Sequence, residues 1–247
     1  MAVASIRSED LTFVRDGDRI RGYAAWQGRE ERVPAIVILP DVHGLTEHYR
    51  DIARRFAAQG FFSFALDIYS REGRPVLPDP QAVREWIANL DDRRVLADID
   101  GAIRFLRSRV EVKKPAVGIT GFCLGGQYAL MSACQNFGLG ACAGFYGMLR
   151  YSEQNEKKPQ SPLDLAPRLE CPYLGLFGAD DSLIPREDVK DLEAILRRHG
   201  KTFQVKLYPG AGHAFFNDGR PDAFRPEAAR DAWTRVVEFF RSHLISA

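Results

Sequence analysis

Residues 117–134, VGITGFCLGGQYALMSAC, contain the pattern that decides the fold. The apolar run at its start predicts a buried strand, and Leu124–Cys134 predicts a helix. The segment between them, Gly121–Gly125, has the form Gly-x-Cys-x-Gly. A residue forced into so sharp a turn needs neighbours without side chains, because Cβ atoms at the two glycines would collide with adjacent strands or with the helix start. The sequence therefore predicts a strand, a strained turn that presents the Cys123 sulfur, and a helix.

The same alternation of short apolar runs and helical periodicity continues on both sides of this stretch. Further buried strands are predicted at Ala35–Leu39, Phe61–Leu66, Ala141–Tyr146, Tyr173–Phe177 and Phe203–Tyr208. Helical stripes of apolar residues separate most of them, and Pro226 begins a closing helix. Alternating β and α units of this length require right-handed crossovers. We therefore predict an α/β protein with a mostly parallel central sheet and helices on both faces.

Two segments depart from this alternation. An entry hairpin is predicted at about residues 11–26, because Asp16-Gly17-Asp18 supports the positive φ of a tight turn. A polar excursion at 148–168 contains three prolines and is a candidate lid. No repeat and no linker-like run interrupts the sequence, so we predict one domain over residues 1–247.

Composition and charge exclude several classes of protein. The chain has 247 residues, of which 45% are hydrophobic and 27% charged, as in soluble globular proteins. Its formal net charge of +1 provides no field that would gather nucleic acid or an anionic membrane. No apolar run approaches the ~20 residues of a spanning helix, and Met1–Leu11 carries charges where a signal peptide would be apolar. We expect a cytoplasmic protein without a nucleic-acid or membrane partner.

Cysteine usage points away from metal and disulfide sites. The four cysteines are Cys123, Cys134, Cys142 and Cys171, and no pair has CxxC spacing. We therefore expect no metal and no cofactor. In a reducing compartment a functional cysteine acts as a free thiol, and a helix N-terminus favours its thiolate form.

Polar loops follow four of the predicted strands, and the carboxyl ends of parallel strands meet at one edge of the sheet. These loops contain Asp41–Gly44, the Cys123 turn, the pair Asp180 and Asp181, and Gly210–His213. A nucleophile needs a base, and the base needs a group that orients it, in the chain order nucleophile, acid, histidine. Cys123, one of the two aspartates and His213 satisfy that order. The pattern alone does not choose between the aspartates.

Five motifs in this order resemble the dienelactone hydrolase family of α/β-hydrolases over nearly the full chain. They are Pro40–Gly44, Asp67–Arg71, Gly121–Gly126, Gly178–Pro185 and Ala211–Phe215. The resemblance implies the α/β-hydrolase fold and the hydrolysis of esters or lactones. The family places its acid four residues before a proline, which selects Asp181. It also implies an oxyanion hole formed by the backbone N–H groups of Val42 and Leu124.

The resemblance also indicates which residues surround the substrate. The family usually has a glutamate in the first loop, where this chain has Asp41, and an arginine four residues after the histidine, where it has Asn217. A second carboxylate-binding arginine of the family falls near Trp86, so Arg84 and Arg71 are candidates to replace the missing arginines. Candidate pocket walls are Trp86, Tyr146 and Phe215.

The sequence hypothesis is a hydrolase of activated esters or lactones that forms a thioacyl intermediate on Cys123, with His213 and Asp181 completing the triad. Its partner would be a small-molecule ester or lactone, and the chain would be a monomer or a weak homodimer. Two alternatives remain open. One is a thioesterase or another acyl hydrolase, and the other is a non-catalytic protein of the same fold that binds a ligand or senses oxidants through a thiol.

Overall fold

A single sheet of eight strands organises the protein in the computed structural model, which describes residues 5–28 and 31–245. The strands are β1 (Ile6–Arg15), β2 (Asp18–Gln27), β3 (Val33–Leu39), β4 (Phe62–Leu66), β5 (Val112–Phe122), β6 (Ala141–Phe145), β7 (Tyr173–Gly178) and β8 (Phe203–Tyr208). Their spatial order is β1-β2-β4-β3-β5-β6-β7-β8. The pairs β1/β2 and β2/β4 are antiparallel, and the others are parallel. The prediction of a mostly parallel sheet is confirmed. The predicted domain, 1–247, also includes residues 1–4, 29–30 and 246–247, which lie outside the described residues.

Seven helices accompany the sheet in the described chain. They are α1 (Glu47–Ala58), α2 (Pro80–Asn89), α3 (Asp92–Ser108), α4 (Leu124–Ala133), α5 (Pro162–Leu165), α6 (Arg186–Arg198) and α7 (Pro226–Phe240). A 3₁₀ turn, Ala166–Arg168, follows α5, and a π-helical turn, Arg241–Ile245, follows α7. None of the described helices is long and apolar enough to cross a lipid bilayer.

Helix α2 was not predicted from the sequence. Its apolar stripe is short, since Val83, Trp86 and Ile87 are only partly buried against the core and no residue of the helix is fully buried. Its beginning carries the expected local signals, since Asp79 accepts a hydrogen bond from the Ala82 N–H at 2.8 Å and Pro80 occupies the first helical position.

The direction in which the chain adds strands reverses between β3 and β5. From β3 the chain passes through α1 to β4 on one side, and from β4 it returns across β3 to β5 and continues outward to β8. Since each parallel crossover is right-handed, this reversal places α1 on one face and α3 and α4 on the other. Loops that leave the sheet at such a reversal point form the binding crevice of open α/β sheets.

Side-chain contacts agree with helices on both faces. Phe56 of α1 lies 4.7 Å, centroid to centroid, from Trp233 of α7, so these two helices pack together. On the other face, the Tyr128 hydroxyl of α4 donates to Asp92 of α3 at 2.8 Å. The prediction of helices on both faces is confirmed.

The entry hairpin is longer than the predicted range of about 11–26. Residues 6–10 extend β1, and they are exposed and mostly polar, so they show no apolar alternation that the sequence analysis could detect. The turn itself is as predicted, because Asp16 (φ 52°) and Gly17 (φ 88°) both have the positive φ of a tight hairpin turn.

The excursion at 148–168 is anchored to the scaffold by a buried polar network. The Lys158 ammonium is buried and forms an ion pair with Asp92 at the start of α3. The Tyr151 hydroxyl donates to the other oxygen of Asp92 at 2.7 Å. An uncompensated buried charge is costly, so opening this segment as a lid would require breaking the ion pair.

The turn after β5 depends on close contacts between main chains. A Cβ atom at Gly121 would lie 2.0 Å from the Gly125 carbonyl oxygen, and one at Gly125 would lie 2.1 Å from the Leu39 carbonyl oxygen. Both distances are far inside van der Waals contact with backbone atoms that cannot rotate away. The glycine requirement predicted from the sequence is confirmed, and its cause is the approach of the α4 N-terminus to β3 and β5.

We predict that Gly125→Ala lowers the free energy of unfolding by more than about 3 kcal/mol, because the new Cβ forces a backbone shift in the core. Gly200→Ala is the control for backbone strain alone, since Gly200 lies in a turn after α6, has open space around its Cβ position and has φ +63°. We expect the control to cost about 1–2 kcal/mol, from the left-handed backbone alone. Urea unfolding of both variants measures the difference, and equal costs would contradict this explanation.

Candidate active site

Cys123 occupies a strained backbone position between β5 and α4. Its φ of 53° and ψ of −116° lie outside the regions that side chains favour. The turn is held in place because the Cys123 N–H donates to the Phe145 carbonyl at 3.0 Å and its carbonyl accepts from the Gln127 N–H at 3.1 Å. Cys123 is partly exposed, whereas the other three cysteines are buried. Of the four thiols, Cys123 is therefore the one open to a substrate.

Two backbone N–H groups next to the turn have no acceptor in the part of the chain that the structure describes. They belong to Leu124, the first residue of α4, and to Val42 in the loop after β3. The Val42 loop is rigid, since Asp41 accepts from the His43 N–H at 2.8 Å and the Tyr69 hydroxyl donates to the Val42 carbonyl at 3.0 Å. Fixed, unpaired donors are the groups that stabilise a developing oxyanion.

The structure distinguishes the two candidate aspartates. Asp181 is buried, and its Oδ2 lies 2.8 Å from His213 Nδ1. Its other oxygen accepts from the Leu183 N–H at 2.8 Å, which fixes the carboxylate plane. Asp180 is exposed and forms an ion pair with Arg186 at 3.0 Å. The partner of His213 is therefore Asp181, the residue that the resemblance selected.

The electrostatic surroundings of His213 favour its protonated form. Burial alone would lower the pKa of this imidazole. Its contacts with Asp181 and Cys123 outweigh burial and raise the pKa to about 10. The second ring nitrogen, Nε2, is buried and makes no hydrogen bond of standard geometry within the described chain. An imidazolium beside a thiol stabilises the thiolate, so the ring is suited to work with Cys123.

Backbone strain is concentrated around these residues. In the described chain, four residues other than glycine have positive φ, and three of them lie in this region: Cys123, Tyr146 (φ 38°) and Ala214 (φ 61°). The fourth, Asp16, belongs to the hairpin turn. Such conformations persist only where surrounding contacts impose them, and they cluster at functional sites.

Two of the predicted pocket walls lie beside His213. The Tyr146 ring is 5.2 Å from the imidazole, centroid to centroid, and the Phe215 ring is 5.4 Å from Tyr146. The third, Trp86, packs on Tyr69 at 5.6 Å, centroid to centroid, and the Tyr69 hydroxyl donates to the Val42 carbonyl.

The candidate carboxylate-binding groups are not assembled. Arg71 forms ion pairs with Asp98 and Asp18, so the expectation that it replaces a substrate-binding arginine is corrected. The Asn217 side chain accepts from the Gly219 N–H at 3.0 Å and stabilises its own loop. Arg84 is exposed on α2. Its guanidinium lies at the rim of a cavity between α2 and the excursion.

The sequence analysis missed a role for two tyrosines. Tyr69 orients the Val42 loop through its hydroxyl, as described above. Tyr49 of α1 is fully buried, and its hydroxyl has no partner in the described chain. Burial, followed by the negative charge of Asp41, raises its pKa well above the usual value. Tyr49 belongs to the apolar stripe of α1, so the sequence predicts only that it packs in the core. No neighbouring residue in the sequence indicates that its hydroxyl approaches Asp41.

The side chains of Cys123, His213 and Asp181 lie in a row and do not surround a common point. His213 lies between Cys123 and Asp181, whereas metal ligands converge on one point. Within residues 5–28 and 31–245, no group of three His, Cys, Asp or Glu side chains is arranged to hold a metal ion. Cys123, His213 and Asp181 are of the residue types, and lie in the order, that acyl transfer requires of a nucleophile, a base and an orienting acid.

Comparison with known protein families shows which family the chain belongs to. Residues 20–244 match the dienelactone hydrolase family. The chain belongs to the dienelactone hydrolase family. Its resemblance to that family, inferred from five motifs, is confirmed.

Relatives of this dienelactone hydrolase family member cover almost its whole length. A Bradyrhizobium protein described as a probable 2-oxo-3-(5-oxofuran-2-ylidene)propanoate lactonase is 34% identical over 99% of this chain and 98% of its own. A candidate carboxymethylenebutenolidase of Escherichia coli is 34% identical over 92% of this chain and 84% of its own. The crystal structure of a candidate dienelactone hydrolase from Klebsiella pneumoniae superimposes with a TM-score of 0.90 and 31% identity, covering 96% and 98% of the two chains. The α/β-hydrolase fold is confirmed, and the protein is a dienelactone hydrolase-like hydrolase.

The raised pKa of His213 predicts how stability depends on pH. The folded pKa of about 10 exceeds the ordinary value of 6.5, so the contribution is complete below pH 6.5 and is lost as pH rises towards 10. We expect the difference in unfolding free energy between wild type and His213→Gln to fall by at least about 1.4 kcal/mol across that window, the value of one pKa unit. Urea unfolding at several pH values under reducing conditions measures it. A constant difference would show that His213 is not protonated in the folded protein.

Proposed function

We propose that this protein hydrolyses activated esters or lactones through a thioacyl intermediate on Cys123, with His213 as the proton carrier and Asp181 as the group that orients it. The observation that carries the proposal is the 2.8 Å contact between Asp181 and His213 Nδ1. This contact leaves Nε2 as the ring atom available to the cysteine turn. The free N–H groups of Val42 and Leu124 support the same reaction.

In the first half of the reaction, the Cys123 thiolate attacks the carbonyl carbon and a C–S bond forms. The carbonyl oxygen becomes an alkoxide, and the N–H groups of Val42 and Leu124 stabilise it, an effect worth a few kcal/mol of barrier per donor. When the alkoxide collapses, the C–O bond to the leaving group breaks. His213 Nε2 donates its proton to the departing oxygen.

In the second half, a water molecule replaces the leaving group. His213, now neutral, accepts a proton from the water as the hydroxide attacks the thioacyl carbon. The C–S bond then breaks, the acid product leaves, and the thiolate and imidazolium return. Asp181 keeps Nδ1–H directed at its own carboxylate throughout, so that Nε2 is always the atom that exchanges the proton.

The sulfur nucleophile limits the substrates. A thiolate attacks activated carbonyl groups readily but expels a poor alkoxide slowly, so the proposed substrates are esters, enol-lactones and thioesters with good leaving groups. The Bradyrhizobium relative is described as a lactonase. A lactone is therefore within the proposed class, although Arg71 and Asn217 do not provide a carboxylate clamp here.

We predict that Cys123→Ala lowers kcat/KM for p-nitrophenyl acetate by at least about 10³-fold, because both the bond-forming atom and the imidazolium partner are lost. The matched control is Cys134→Ala, which removes a buried thiol outside the site. Intact-protein mass spectrometry of rapidly quenched wild type should show one acetyl group on Cys123.

Three outcomes of that experiment distinguish the candidate functions. Loss of turnover in Cys123→Ala alone supports the proposal. Unchanged turnover in that variant contradicts a cysteine nucleophile. A wild type that reacts rapidly with iodoacetamide at Cys123 but turns over no ester, lactone or thioester would instead indicate a thiol sensor.

We predict that Asp181→Asn lowers kcat/KM by about 10²- to 10⁴-fold, since an amide cannot hold the imidazole in the required tautomer. Asp180→Asn is the control with the same change one residue earlier. We expect it to alter kcat/KM less than twofold, because Asp180 is exposed and pairs only with Arg186 in the described structure. Equal losses in the two variants would contradict the assignment of Asp181.

A further inference from the structure

The loop that carries His213 is connected to α1 by a hydrogen bond between side chains. Nδ1 of His48, the second residue of α1, lies 2.9 Å from the Asp218 carboxylate, five residues after His213. No step of the proposed reaction uses either residue. Their burial, their chemical type and the segments that they connect indicate what this contact does.

The His48 imidazole is the buried partner and the hydrogen-bond donor. Only 9% of its side chain is exposed, against 57% for Asp218. Burial has the largest effect on the pKa of this ring and lowers it, against the opposing charges of Asp218 and Asp41, so the ring is neutral at pH 7. A neutral imidazole beside a carboxylate carries its proton on the nitrogen that faces it, so Nδ1–H donates to Asp218. The other nitrogen, Nε2, is buried and has no partner in the described chain.

The His48 end of the contact is connected to the Val42 loop. The Gly44 N–H donates to the Asp41 carbonyl at 3.0 Å, and the Thr46 N–H donates to the Gly44 carbonyl at 2.9 Å. These bonds fold the chain between the Val42 loop and α1 into tight turns. His48 follows Thr46 by two residues, so its position is fixed relative to the Val42 N–H.

The Asp218 end belongs to a compact loop. The Asn217 N–H donates to the Ala214 carbonyl at 2.9 Å, and the Arg220 N–H donates to the Asn217 carbonyl at 3.0 Å. Two successive turns therefore connect Asp218 to His213 through a short segment with little freedom. A displacement of Asp218 is transmitted to the imidazole of His213.

The other contacts of this loop face the sheet and α7. Phe216 packs on Phe122 at 5.5 Å and on Phe145 at 4.8 Å, centroid to centroid. The Phe215 carbonyl accepts from the N–H of Arg225, the residue before α7, at 3.0 Å. Apolar packing is not directional, so the phenylalanine rings hold the loop on the sheet without fixing its distance from α1. A hydrogen bond is directional and fixes that distance.

Asp218 is specific for His48 among the groups around it. A cavity of about 460 Å³ next to the contact is lined by Asp218 and by two cations, Arg55 and Arg230. The Arg55 guanidinium stacks on the Trp233 ring, 4.2 Å from its centroid. Within residues 5–28 and 31–245, the Asp218 carboxylate forms an ion-pair contact with His48 and with neither arginine. The contact is therefore a defined pair and not part of a diffuse cluster of charges.

We infer that His48 and Asp218 are a positioning pair for the proposed proton carrier. Their hydrogen bond holds the His213 loop at a fixed distance from α1, and α1 begins at the loop of the Val42 oxyanion donor. The inference rests on the proposed function, because the group that it positions is His213. It deepens that function by adding two residues that touch no substrate and yet set the rate of proton transfer.

The first test removes the acceptor. Asp218→Ala should lower kcat for p-nitrophenyl acetate about tenfold, since a misplacement of about 1 Å costs up to about 10²-fold in rate. KM should change less than about twofold, because His213 acts in both halves of the reaction and both steps slow together. Asp222→Ala, the same change at an exposed aspartate four residues further on, is the matched control and should keep wild-type kcat.

Unfolding in urea distinguishes positioning from loss of folded protein. A contact with an exposed carboxylate contributes little to stability, so the midpoints for Asp218→Ala and Asp222→Ala should lie within about 0.5 M of wild type. A fall in kcat that is matched by a large fall in the midpoint would overturn the positioning role.

The second test changes the donor. The side-chain N–H of an asparagine takes the place of Nδ1–H, whereas a phenylalanine keeps only the ring. His48→Phe should therefore lower kcat as far as Asp218→Ala does, and His48→Asn should retain at least about half of wild-type kcat. The control is His199→Asn, the same change at the exposed end of α6.

The double variant His48→Phe/Asp218→Ala tests whether the two residues act through one contact. It should lose no more kcat than either single variant, because each single change already removes the hydrogen bond. Losses that multiply would overturn the inference, since they would indicate two separate effects.

A third measurement reports on the loop without ester turnover. Amide hydrogen exchange of residues 213–220, followed by mass spectrometry, should be faster in Asp218→Ala and His48→Phe than in wild type, and unchanged in His48→Asn. If exchange responds in this way but the wild type hydrolyses no ester, the proposed function fails and the pair stands as an anchor of the loop. If the wild type hydrolyses esters and Asp218→Ala keeps wild-type kcat, the function stands and the positioning role is overturned, whatever the exchange shows.

Discussion

The contact on which the structure depends is the approach of the α4 N-terminus to the backbone of β3 and β5, with no side chain between them. Gly121 and Gly125 make that approach possible, since a Cβ on either would lie about 2 Å from a carbonyl oxygen. It forces the positive φ of Cys123, and it places the Leu124 N–H beside the Val42 loop. The positions of the proposed nucleophile and of both proposed oxyanion donors thus follow from the same packing constraint.

The strand order of the sheet brings the other residues of the site to the same edge. Because the strand order reverses between β3 and β5, the Val42 loop and the Cys123 turn leave adjacent strands at the same edge. Asp181 and His213 follow the ends of β7 and β8, so they lie at that edge although their loops are far apart in the chain. The buried Asp181 carboxylate is not left unpaired, because it contacts His213 Nδ1. The contacts of His213 with Asp181 and Cys123 in turn outweigh the effect of burial on the pKa of its imidazole.

Much of this was predictable from the sequence, where local signals and tertiary packing agree. The turn at Cys123 has its glycines, and the strands before Asp181 and His213 are continuously apolar because they are buried on both faces. The choice of Asp181 over Asp180 needed the family resemblance, since only the fold decides which of two adjacent carboxylates points inward. Helix α2 was missed because its apolar stripe, Val83, Trp86 and Ile87, is short and only partly buried. The hydroxyl of Tyr49 was missed because nothing in the sequence around it indicates that it approaches Asp41. Arg71 was misassigned because its partners, Asp98 and Asp18, are distant in sequence.

Helix α2 borders the cavity between itself and the excursion at 148–168, yet none of its residues is fully buried. Substitutions along its exposed surface therefore change the free energy of unfolding little, even when several of them accumulate. The turn at Cys123 has no such freedom, because a Cβ at Gly121 or Gly125 would collide with the backbone. A lineage carrying this fold can accordingly vary the exposed surface of α2 while the groups around Cys123 stay unchanged.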